Sequence, residues 1–70
     1  MWSEGTLNGY AYWVKHFEKG SDYGINEGRI SKLSIRKDGK EIYNYDRGLD
    51  FDKLDQGGRA VYAELLERYN

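Results

Sequence analysis

Residues 29–47 read RISKLSIRKDGKEIYNYDR, and the way the two halves of this stretch pair about Asp38 and Gly39 decides which side chains can share a core. Asp before Gly between β-prone runs is a strong hairpin signal, because both residue types accept the positive φ of a tight connection. A two-residue loop sets Ile35 opposite Ile42 but Leu33 opposite Asn44, with Tyr43 and Tyr45 opposite Ser34 and Lys32. A three-residue loop with Gly39 as a left-handed bulge instead pairs Leu33 with Tyr43 and Ser31 with Tyr45. That register gathers Leu33, Ile35, Tyr43 and Tyr45 on one face, and it is the expected one, since a slip of one residue sends the whole apolar set to the wrong side.

Working outward, LNGY at 7–10 carries the same kind of signal, so a first hairpin of strands 2–7 and 10–17 precedes a second of strands 29–36 and 41–47. Residues 10–17 alternate two sets that are both apolar enough to bury. Lys15 favours one: with the lysine in water, Tyr12 and Val14 point inward and Trp13 and Phe17 point outward. Near the C-terminus the period changes. Val61, Tyr62, Leu65, Leu66 and Tyr69 form a stripe of helical spacing, with Asp55 a fitting N-cap and Gly57 and Gly58 expected to fray the first turn. These elements predict one α+β domain over residues 1–70, a four-stranded antiparallel sheet of two hairpins with a C-terminal helix packed on one face.

The chain has 70 residues, no cysteine and no proline, and 16% of it is aromatic. A scaffold this small gains little net stability from an ordinary core. Without disulfides or thiolate-bound zinc, the large aromatic side chains or self-association must supply the difference, so a homodimer is one expectation. No run approaches the roughly 18 apolar residues of a membrane span. Together with the lack of a basic region followed by an apolar run at the N-terminus, this predicts a cytoplasmic protein with no membrane partner.

The net charge of −1 hides an uneven distribution. Residues 29–40 hold Arg29, Lys32, Arg36, Lys37 and Lys40 against Asp38, an excess of +4. Residues 41–56 hold five acids against Arg47 and Lys53, or −3. Opposite charges on adjacent strands neutralise one another on a solvated face, and Asp46 is expected opposite Ile30, paired with Arg29 or Arg47.

Catalytic chemistry has little to draw on. There is no Cys and one His, His16, which reads as a packed or capping residue; no phosphate-cradling glycine loop or dinucleotide fingerprint occurs. The run Asp46, Asp50, Asp52, Asp55 lacks the ordered alternation of a calcium loop. The expectation is a non-enzymatic protein with no catalytic residue, metal or cofactor.

Binding has more. Trp13 and Phe17 on an open face, bordered by Lys15, Lys32 and Arg36, combine aromatic surface with positive charge. The connection 18–28, with Gly20, Gly24 and Gly28 spaced four apart, turns tightly, and Tyr23 and Ile25 are expected to fold back as apolar plugs. This connection either links the hairpins or offers Tyr23, Asn26, Glu27 and Arg29 as a binding loop. The reading is stoichiometric binding of a protein or small ligand through the open face and the 18–29 loop. The alternative is a nucleic-acid module using the basic 29–40 hairpin, with Lys15, Lys32, Arg36, Lys37 and Lys40 on phosphates.

The runs GYAYWVKHFEKGSDYGINEGRISKLSI and NYDRGLD, followed by a short final helix, resemble small uncharacterised proteins of Gram-positive bacteria, their phages and mobile elements. Gly9, Tyr10, Val14, Lys15, His16, Tyr23, Gly24, Ile25, Gly28 to Leu33 and Asn44 to Gly48 carry the resemblance over nearly the whole chain. It implies a context in which small proteins occlude a host or rival surface or sequester a ligand, and it transfers no functional residue. Gly57 and Gly58 depart from the usual helix start.

Overall fold

In the computed structural model, which describes residues 1–70, both Asx-Gly signals close two-residue turns. Asn8 and Gly9 adopt φ of 54° and 84°, and Asp38 and Gly39 adopt 53° and 77°, the left-handed pairs that match the twist of the flanking strands. The elements are β1 (Trp2–Leu7), β2 (Tyr10–His16), a single 3-10 turn (Ile25–Glu27), β3 (Ile30–Lys37), β4 (Lys40–Asp46), β5 (Leu49–Asp52) and α1 (Gln56–Tyr69). The strands form one antiparallel sheet in the order β1-β2-β3-β4-β5.

The fifth strand corrects the expectation of four. Arg47, at φ 59°, and Gly48 turn the chain back so that Leu49–Asp52 pairs with β4. Four residues are too short for alternation to separate from a polar loop.

The register of the second hairpin is also corrected. The turn has two residues and sets Lys37 opposite Lys40 and Arg36 opposite Glu41. Continued unchanged, it would mix the apolar residues between faces. A bulge at Ile42 absorbs one residue, so that Ile35 meets Tyr43 and Leu33 meets Tyr45. The four residues expected on one face are together there, with partners two places from those of the three-residue loop. Asp46 consequently stands opposite Lys32 rather than Ile30.

A second bulge, at Ser31, lets both Ile30 and Leu33 face inward. The core then comprises Tyr10, Tyr12, Val14, Ile25, Ile30, Leu33, Ile35, Tyr43, Val61 and Leu65. Helix α1 seals this face: Val61 and Leu65 are fully buried, and Tyr62 packs against Tyr43 with ring centroids 5.1 Å apart.

Asp55 caps the helix as expected, accepting from Gly58 N–H at 2.7 Å and from the Tyr10 hydroxyl at 2.6 Å. The glycines after it serve a close approach. A Cβ on Gly57 would lie 2.6 Å from the Tyr10 hydroxyl, and one on Gly58 would lie 2.9 Å from Leu54 Cδ2. The helix is continuous from Gln56, so the first turn is formed.

Candidate functional site

The turn at Asn8 and Gly9 sets the register of β1 on β2, placing Trp2 opposite Lys15, Glu4 opposite Trp13 and Thr6 opposite Ala11. Tyr12 and Val14 point to the helix, so by strand alternation these six residues project from the opposite face. Lys32, Ser34 and Arg36 of β3 and Asn44 and Asp46 of β4 continue it. No element of the chain covers this face. Trp2 is 59% exposed and Trp13 and Phe17 are each 47% exposed, whereas Val14 is fully buried.

Polar partners hold the exposed aromatics in place. The Trp13 indole N–H donates to the Glu4 carboxylate, and the Arg36 guanidinium lies 5.2 Å from the Trp13 ring centroid. Arg36 is itself held by Glu41 at 3.9 Å, and the Ser34 hydroxyl donates to the same carboxylate. Glu4, Thr6, Ala11, Trp13, Ser34 and Arg36 line a shallow hollow of about 390 Å³. Such a surface, an indole with its polar edge satisfied, Arg36 stacked on its ring and nearly half its area exposed, suits burial against a partner.

The connection between the hairpins contributes less than expected. Ile25 is buried and plugs the core, but Tyr23 is 57% exposed and does not. Its ring carries the Arg47 guanidinium at 4.8 Å, and its carbonyl accepts from the Tyr45 hydroxyl at 2.9 Å. Asn26 and Glu27 are exposed on the 3-10 turn, apart from the open face, and Arg29 is half-buried with its carbonyl bonded to Phe17 N–H. The connection is fastened from below: the Asn70 side chain accepts from Ile30 N–H at 2.9 Å and donates to the Ile25 carbonyl at 3.0 Å.

Of the residues singled out from sequence, the fold gathers Trp13, Lys15, Phe17, Lys32 and Arg36 on one face with Tyr23 at its end, and leaves Asn26, Glu27 and Arg29 outside. Trp2 was the omission. A two-residue turn at Asn8 and Gly9 places it beside Lys15 on the face of Trp13, so the turn carried the signal.

Several charged groups outside this face have structural employment. Lys37 reaches the Tyr10 hydroxyl at 3.3 Å on the helix side of the sheet. Asp52 pairs with Arg59 of the helix at 3.1 Å, and Asp50 accepts from Asn44 at 3.0 Å. His16 packs on Tyr69 with ring centroids 4.7 Å apart and hydrogen-bonds Ser3 at 3.0 Å. Burial, then the positive N-terminal amine and Arg29, hold its imidazole below the ordinary histidine range.

A family model, the domain of unknown function DUF7678, matches residues 1–70, and the chain belongs to that family. No curated protein and no solved structure matches it. No helix is long and apolar enough to cross a membrane.

Proposed function

We propose, for this member of a family defined without an activity, that the chain is a small non-enzymatic cytoplasmic binding protein that acts by stoichiometric contact with another protein through the open sheet face. One observation carries the reading: the helix covers one side of the sheet, while the other presents exposed Trp2 and Trp13, with Trp13 lining an uncovered hollow. Trp and Arg are the residue types most often found as energetic anchors of interfaces, and here Arg36 is already stacked on Trp13. The resemblance to proteins of Gram-positive bacteria, phages and mobile elements supports a host or rival protein as the partner.

The nucleic-acid reading draws less support. Its five cations divide between the two sides of the sheet: Lys15, Lys32 and Arg36 belong to the open face, Lys37 turns to Tyr10, and Lys40 stands at the hairpin turn. Lys32 and Arg36 are also neutralised by Asp46 and Glu41.

The test is recovery of a partner from host cells with the tagged chain, followed by titration of the purified partner into the purified chain. A one-to-one complex that Trp13→Ala abolishes while the variant stays folded, with a melting temperature lowered by no more than about 8 °C, is expected. Equal binding by Trp13→Ala, or unfolding of that variant, would remove the basis of the proposal.

A further inference from the structure

We infer that the end of the open face nearest the hairpin connection is an anion site, built for a phosphate monoester carried on a flat apolar group. The inference deepens the binding-protein reading and rests on it. Its starting point is a cost in the sheet: Lys15 and Lys32 stand directly opposite one another in the β2–β3 ladder, and like charges so placed repel. Asp46 relieves Lys32 at 3.6 Å. No carboxylate reaches Lys15 within 4.0 Å; its ammonium instead lies 5.6 Å from the Trp2 ring centroid and 5.5 Å from that of Phe17.

Arg47 is the third cation. It stacks on Tyr23 and has no carboxylate partner either. It occupies φ 59°, a left-handed conformation that suits Gly or Asn and costs a long side chain roughly 1 kcal/mol. Asn8, Asn26 and Asp38 are residue types that tolerate that region; Arg47, like Glu27 in the 3-10 turn, is not. A strained cation and a repelling lysine pair, together at one end of a face, are the kind of local conflict that marks functional positions.

The three cations and two aromatic rings line one cleft of about 280 Å³, together with Ser21 and Ser31. Its walls come from three chain segments and are tied together. Arg47 N–H donates to the Ser31 carbonyl at 2.8 Å, and the Tyr45 hydroxyl anchors Tyr23. Glu18 and Asp22 belong to the same connection and make no ion pair with these cations. Two positive charges thus lack a counter-charge. A carboxylate answers one of them, whereas a phosphate monoester, with a charge of about −1.5 to −2 near pH 7, answers both. Phe17 and Tyr23, each about half exposed, offer ring faces against which a planar group can stack.

An aryl phosphate and a nucleoside monophosphate share this chemistry, and titrations followed by amide NMR distinguish them. The probes are phenyl phosphate, adenosine monophosphate, inorganic phosphate and benzyl alcohol, added to the full chain. At least one ring-bearing ester is expected to shift the amides of Lys15, Ser31 and Arg47 and to bind at least roughly tenfold more tightly than inorganic phosphate or benzyl alcohol. The tighter ester identifies the source. Affinity should fall below about pH 6 as the ester loses its second charge. Lys15→Gln and Arg47→Gln should each weaken binding roughly tenfold without lowering the melting temperature, while Lys15→Arg retains it. No shift with either ester, equal binding of inorganic phosphate, or unchanged binding by Lys15→Gln overturns the inference. Trp13→Ala separates the two proposals. Lost ester binding beside an intact Trp13-dependent complex overturns the anion site alone, and ester binding without any such complex overturns the protein-binding reading alone.

Discussion

Trp13 and Val14 are neighbours in the chain and belong to opposite sides of the sheet, and this single alternation organises the molecule. Lys15 made it legible, because a charged residue fixes which set of an ambiguous strand meets water. Gly57 shows where sequence reasoning stops at the residue scale. Propensity alone reads it as a weakness of the helix, whereas the structure places the Tyr10 hydroxyl where its Cβ would be. Gly57→Ala should therefore destabilise the protein, by about 1 kcal/mol or more through the displaced Tyr10–Asp55 hydrogen bond, although an unobstructed Gly→Ala change in a helix stabilises. Gly48→Ala, which meets open space, should be neutral or stabilising by roughly 0.4 to 1 kcal/mol. Urea midpoints of the two variants check the contrast. His16 gives a pH prediction. Its folded-state pKa lies below the unfolded value of about 6.5, so the unfolded chain takes up the proton more readily. Stability should fall as pH drops from about 6.5 toward the lower folded value, and His16→Gln should remove that loss, as denaturant midpoints at about pH 7.5 and 5.5 would show.

At the scale of elements, the positions of the two Asx-Gly turns and the helical stripe were readable because each is set by local chemistry, although the second turn has two residues and not the three expected. The bulge at Ile42 was not. Turn geometry and apolar pattern demand different registers in that hairpin, and the chain satisfies both by an insertion that neither rule specifies alone. Strand β5 escaped because its four residues carry two aspartates, which read as loop until Asp52 is seen pairing with Arg59 across to the helix. The helix cap predicts acid behaviour. Hydrogen bonds from Tyr10, then from Gly58 N–H, hold the Asp55 carboxyl below its ordinary value. The stabilisation it provides is present above the unfolded carboxylate range and is lost as pH falls through the folded value. Asp55→Asn should lower the melting temperature at neutral pH and flatten its decline in acid. The hairpin connection depends on Asn70, whose side chain satisfies Ile25 and Ile30. Asn70→Ala leaves both backbone groups without that partner, which should cost about 1 to 3 kcal/mol. Hydrogen exchange should accelerate across residues 20–28 while β2 and β3 keep their protection.

On the scale of the whole molecule, the asymmetry of the two sheet faces is the feature on which the proposed function depends. The helix face is closed by aliphatic and tyrosine packing and its charges are engaged: Lys37 on Tyr10, Asp55 at the cap, Asp52 on Arg59. The other face keeps two indoles and a row of cations in water, with its acids placed to orient them. Composition and alternation showed that such a face would exist. They could not show that Lys15 and Lys32 meet across the ladder or that Arg47 arrives beside them, since both depend on the bulges and on a strand too short to recognise. The most direct measurement of the asymmetry is the unfolding free energy of two adjacent variants, Trp13→Ala and Val14→Ala, compared by chemical denaturation. Val14→Ala should lose roughly 2 kcal/mol or more through the cavity it opens. Trp13→Ala, despite deleting a far larger side chain, should lose no more than about 1 kcal/mol. The reverse order, with the Trp13 variant the more damaged, would mean that this indole belongs to the interior and that the open face does not exist.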